Sequence, residues 1–108
     1  MSIETLILIF VIHYVADFWF QSEKEALSKS SNNKSLAMHC LKYAIPFLIF
    51  GPVFAIVTGL LHFAVDYYTS RIAAHYHKTN QNRRFFQTIG CDQLMHMLCL
   101  VLTYKIIF

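Results

Sequence analysis

The stretch Ile45–Tyr68, IPFLIFGPVFAIVTGLLHFAVDYY, decides the fold. It lies in a run from Leu36 to Tyr68 in which Lys42 and Asp66 are the only Lys, Arg, Asp or Glu residues. As one helix, that run of about 33 residues would be about 50 Å long, against a bilayer hydrocarbon core of about 30 Å. A single span cannot use it all. Gly51 and Pro52 supply the break, because a glycine commonly follows a helix end and a proline commonly opens the first turn of the next. A tight helical hairpin is expected there.

Working outward, the apolar segments predict four helices, over residues 3–21, 35–50, 52–78 and 84–107. The expected fold class is all-α, a four-helix transmembrane bundle built from two helical hairpins, with residues 1–108 forming a single polytopic domain. Helix 2 is short and carries Pro46. Charged residues make up 14% of the chain, where a soluble domain has roughly 25%. The first apolar segment lacks the basic leader and small-residue cleavage site of a secretory signal, so helix 1 is expected to remain. The three cysteines have no CxxC spacing and read as small buried fillers, Cys99 included.

Cations set the expected orientation. Lys24, Lys29, Lys34, Lys78, Arg83 and Arg84 lie in or beside the first and third loops, whereas the Gly51–Pro52 turn and the N-terminus carry no Lys or Arg. By the positive-inside rule both of those loops are expected to be cytoplasmic, with the N- and C-termini outside and the lipid bilayer as partner. Lys105 dissents and is expected to snorkel to the outer interface. An internal echo, HYVADFW against HFAVDYY and AMHCL against LMHML, gives the two hairpins a similar grammar.

Residues i and i+4 share a helix face, so His13 with Asp17, His62 with Asp66, and Asp92 with His96 each make one polar patch on an apolar cylinder. His39 adds the remaining helix. In the expected topology all four patches fall in the cytoplasmic half. A carboxylate at the bilayer centre costs about 2.5–3.5 kcal/mol on insertion scales, so three aspartates are expected to face one another and not lipid. Imidazole nitrogen and carboxylate oxygen suit zinc, iron or manganese. The expected ligands are His13, Asp17, His39, His62, Asp66, Asp92 and His96, enough for one or two divalent metal ions, zinc foremost. Without a cation, crowding would force a proton onto one of the carboxyl groups.

Gln21, Gln93, Lys42 and Arg71 read as a substrate mouth, the two cations as receivers of a phosphate or as snorkelling side chains. Trp19, Phe18 and Phe20 read as an interfacial aromatic belt, and His75 and His77 as interfacial or solvated. A competing reading makes the His–Asp pairs plain interhelical hydrogen-bonding groups.

His13 and Asp17 followed by Gln21, Lys34 in the loop, His39 opening helix 2, HFAVDYYTSR on helix 3 and DQLMH on helix 4 together resemble the small bacterial and phage membrane proteins grouped as domain of unknown function 3307. The resemblance covers nearly the whole chain and implies a polytopic membrane protein. HYVADFWFQ and HFAVDYY are also similar to the HxxxD helices of the zinc-dependent phospholipase C and single-strand nuclease superfamily, and of membrane-bound metal-dependent hydrolases. That likeness implies that His13, Asp17, His62 and Asp66 are zinc ligands. The chain departs from it in having no N-terminal tryptophan ligand and no histidine-rich run after the first aspartate.

The leading expectation is a membrane-embedded metal-dependent hydrolase of a phosphoester or lipid-like substrate, with Asp92 as catalytic base. Two rivals use the same residues. One is a proton or metal-ion transporter or channel subunit, which four short helices would require to be a homo-oligomer; the other is a structural or regulatory membrane subunit. Nucleic acid is not an expected partner, because the basic residues are dispersed over two short loops.

Overall fold

The computed structural model describes residues 1–21 and 28–108, so Lys24 lies outside the described residues. Among the described residues the chain is all-α, with four helices packed as a bundle. Helix α1 runs Ile3–Tyr14 and continues as a π-helical turn over Val15–Trp19. Helix α2 runs Asn33–Ala44 and tightens into a 3-10 segment over Ile45–Phe50. Helices α3, Pro52–Lys78, and α4, Asn82–Ile107, are the long pair.

Local chemistry explains most of the boundaries. Ser2 Oγ accepts the Thr5 N–H at 3.1 Å and caps α1, and Asn32 Oδ1 accepts the Lys34 and Ser35 N–H groups at 2.9 and 3.4 Å and caps α2. Pro46 brings no N–H to the α-ladder, so α2 cannot continue unchanged past Ala44. Gly51 then turns the chain with φ 103°, a conformation that side-chain-bearing residues rarely adopt, and Pro52 takes the first position of α3. Gly59 lets α2 come close to α3, for a Cβ there would sit 3.0 Å from that of Ala44.

The elements run back and forth along a body of 43 × 26 × 21 Å. Arg71, late in α3, donates to Asn33 Oδ1 at the start of α2 at 2.7 Å, which puts the first and third connections at one end. Phe54 meets Phe108, with ring centres 6.3 Å apart, so the Gly51–Pro52 turn and the C-terminus share the other. The antiparallel order is that of two hairpins. Near the turn end the core is apolar: Ile9, Phe47, Phe54 and Leu100 are buried, flanked by Phe10, Phe50 and Tyr104. Toward the other end the buried side chains include the ionisable His13, Asp17, His39, His62, Asp66 and His96.

Outside, the pattern inverts, with Leu60 67%, Leu98 52% and Ile106 84% exposed. Helices α3 and α4 are each long and apolar enough to cross a membrane.

Candidate metal centre

The three i,i+4 pairs are not equivalent in space. His62 Nε2 lies 3.2 Å from Asp66 Oδ2, and His96 Nε2 lies 3.0 Å from Asp92 Oδ1, as an α-helical face dictates. His13 Nε2 is 4.0 Å from Asp17 Oδ2. A π-turn runs through this segment, where Phe20 N–H donates to Val15 O at 3.1 Å, five residues back. Asp17 reaches toward α2 and α3.

Four donor atoms meet. His39 Nε2 lies 3.1 Å from Asp17 Oδ1, 3.1 Å from His62 Nε2 and 3.4 Å from Asp66 Oδ2. His62 Nε2 lies 3.4 Å from Asp17 Oδ1 and 3.2 Å from Asp66 Oδ2. All four side chains are buried. Donors at about 2.0–2.1 Å from a zinc ion, set at tetrahedral angles, stand roughly 3.3–3.4 Å from each other. The five distances of 3.1–3.4 Å trace the edges of such a cage.

Proton counting points the same way. Two Nε2 atoms bring at most one hydrogen each, too few to satisfy five close contacts among two nitrogens and two carboxylate oxygens. Both rings commit only this nitrogen: the buried Nδ1 atoms of His39 and His62 have no hydrogen-bond partner among the described residues. Two imidazoles and two carboxylates are also a donor set that zinc, iron or manganese accepts. The residues present therefore fit a divalent ion.

A second group adjoins the first. Asp17, Asp92 and His96 bring ligand atoms within 4.8 Å of one another. His96 Nε2 lies 2.9 Å from Asp66 Oδ1, so Asp66 touches both groups. Gln93 Nε2 donates to Asp17 Oδ2 at 3.0 Å and to Asp92 Oδ2 at 3.1 Å, tying α4 to α1. His13 serves this tie and not the cage: its Nε2 donates to Gln93 Oε1 at 2.8 Å, and its Nδ1 accepts from the Tyr43 hydroxyl at 2.7 Å.

A cavity of about 410 Å³ opens on these groups, with Asp17, Asp66, Asp92 and Gln93 in its wall together with Gln21 and Lys29. Gln21 Oε1 is buried there without a hydrogen-bond partner among the described residues. Lys42 and Arg71 do not line it. Arg71 donates to Tyr67 O at 2.8 Å and stacks over the Tyr67 ring at 3.8 Å. Cys99 is half-buried and outside both groups, whereas His77 reaches the cavity wall.

Three contributors were not legible in the sequence. Lys29 Nζ donates to Asp66 Oδ2 at 3.3 Å from a polar loop of Ser, Asn, Lys and Glu with no periodicity to place it. Thr69 Oγ1 donates to Asp92 Oδ1 at 2.5 Å. Tyr43, besides holding His13, stacks on His62 with ring centres 3.8 Å apart, and its place one turn after His39 was the available signal.

Residues 5–108 match the family model described as Protein of unknown function (DUF3307). The chain belongs to that family. No curated protein and no solved structure matches it. What this DUF3307 chain contributes is therefore its own geometry: a buried His/Asp group with the spacing of a metal site, against a cavity.

Proposed function

We propose that this DUF3307 protein is a membrane-embedded, metal-dependent hydrolase of a phosphoester or lipid-like substrate, working at the cytoplasmic headgroup level. The observation that carries the reading is the four-donor cage of Asp17, His39, His62 and Asp66 in contact with a cavity large enough for a substrate head. Four buried ligands without a neighbouring space would suit a structural ion instead.

Support for the membrane comes from the inversion of polarity, with large apolar side chains outside and ionisable ones inside. The 43 Å length matches a bilayer of about 40–45 Å including headgroups. Lys29, Lys34, Lys78, Arg83 and Arg84 at the site's end favour a cytoplasmic placement. Lys42 and Arg71, off the cavity, are assigned to lipid headgroups.

A divalent ion in the cage, zinc foremost, would supply Lewis acidity toward a phosphoryl oxygen and acidify water. The chain's own residues do the rest. Lys29 meets the anionic head of the substrate, while Gln21 offers its buried side-chain oxygen to a substrate hydroxyl. Gln93 holds the Asp17 and Asp92 carboxylates in place. Asp92 takes a proton from the attacking water as the new phosphorus–oxygen bond forms. The ester bond to phosphorus breaks, and the departing alkoxide recovers that proton. The HxxxD likeness supports hydrolysis as the reaction class.

Elemental analysis of protein purified in detergent without added metal tests the reading. Near-stoichiometric zinc, iron or manganese, with phosphoester turnover lost in chelator and restored by metal, is expected. Less than about a tenth of an equivalent together with unchanged stability in chelator would overturn it. So would ion flux in liposomes that Asp66→Asn abolishes, in a protein without turnover.

A further inference from the structure

We infer that the Asp92–His96 end of the cluster is a second cation position, so that Asp17 and Asp66 bridge two divalent ions. The inference rests on the single-ion reading above and extends it.

The first ground is how the two shared carboxylates divide their oxygens. Asp66 turns Oδ2 to His39 and His62 and Oδ1 to His96. Asp17 turns Oδ1 to His39 and His62, and Oδ2 to the Gln93 amide that also holds Asp92. A carboxylate chelating one ion would aim both oxygens into one donor group. Here Asp66 aims one oxygen at each end and Asp17 is a member of both donor groups, the posture that spans ions about 3.5–4 Å apart.

The second ground is His96. Its Nε2 lies 2.9 Å from Asp66 Oδ1 and 3.0 Å from Asp92 Oδ1, and one N–H serves one of them well. Asp17 completes the set, and two of its three residues are buried. The remaining contacts of Asp92, from Thr69 and Gln93, fix its oxygens as outer hydrogen bonds fix metal ligands.

Charge distinguishes one ion from two. One divalent ion with Lys29 neutralises the three aspartates and leaves nothing for an anion. Two leave two positive charges in excess, the match for a phosphomonoester dianion. The substrate class narrows accordingly to monoesters, with the 410 Å³ cavity receiving the head.

The full chain in detergent, dialysed against manganese(II), reports both stoichiometry and spin coupling. Close to two equivalents and an exchange-coupled multiline EPR spectrum are expected. His96→Ala and the near-isosteric Asp92→Asn should each drop the content to about one equivalent and leave an isolated-ion spectrum. Wild-type protein with one equivalent that survives Asp92→Asn and disappears in His62→Ala would overturn the second position while leaving the single-ion reading intact. Two equivalents without coupling would overturn the bridges. No metal at all would overturn both readings.

Discussion

The bundle has two layers that hold the same four helices together by opposite means. In the layer near the Gly51 turn, Phe47, Phe50, Phe54 and Tyr104 meet edge-on or tilted, with ring centres 5.2–6.2 Å apart. In the other layer, directional contacts form a closed circuit. Asp17 to His39 joins α1 to α2, His39 to His62 joins α2 to α3, Asp66 to His96 joins α3 to α4, and Gln93 to Asp17 returns from α4 to α1. Lipid tails are as apolar as phenylalanine, so in a bilayer the aromatic layer gains from packing but has little hydrophobic drive of its own. The polar layer carries the register, because each of its groups has a wrong partner on every other face.

Breaking the polar circuit should therefore have the largest effect. Asp66 faces His39, His62, His96 and Lys29 at once. Asp66→Ala strands those groups, and removing one partner from a buried charged set costs about 3–5 kcal/mol. A large fall in detergent thermal midpoint is expected, together with metal content below a tenth of an equivalent. Retention of both would make the circuit ornamental. Phe54→Ala is the matching cut in the other layer. In a bilayer, where the transfer term is small, the cavity term remains, about 2 kcal/mol at about 24 cal/mol per Å³ for a void on the order of 100 Å³. The midpoint should fall, and metal content should stay at the wild-type value.

The two layers also differ in how far the sequence exposed them. The apolar layer and the hairpins followed from Gly51, Pro52 and the length of the apolar run, and α3 begins and ends where the pattern placed it. The faces of His62 with Asp66 and Asp92 with His96 followed from regular α-helical spacing. Asp17, expected among the ligands, stands in the four-donor group, whereas His13, expected there too, lies outside both groups. His13 gives its hydrogen bonds to Gln93 and Tyr43, two partners that lie on other helices and so have no local spacing to reveal them. Lys29 reaches Asp66 across 37 positions from a loop, where periodicity says nothing. Local rules gave the faces; the encounter between faces depended on contacts between helices.

Gln93 sharpens the contrast at a smaller scale, since it belongs to the circuit without belonging to the cage. Its amide accepts from His13 and donates to Asp17 and Asp92. Gln93→Ala leaves every proposed ligand in place but removes what orients two of them. Metal affinity is expected to weaken about 10–100-fold, the usual effect of losing an outer hydrogen bond to a ligand. Competition against a calibrated chelator measures it. Unchanged affinity would mean that Asp17 and Asp92 keep their positions without the Gln93 amide.

The smallest expected effect tests whether Lys29 serves the proposed substrate or the proposed ion. Lys29 is partly buried, with 19% of its side chain exposed, and contacts Asp66 from outside the four-donor cage. Lys29→Met keeps the length of the stem and removes the charge. If the ammonium's task is to balance Asp66, metal affinity should change and KM should not. If it meets the anionic head of the substrate, KM should rise about tenfold, about 1.4 kcal/mol, with metal content unchanged. The second outcome is the expected one, because a cation close to an occupied metal site is repelled toward the nearest anion, and the 410 Å³ cavity that Lys29 lines is where such an anion would enter. High salt should mimic the substitution in the wild-type protein and have little further effect in the variant.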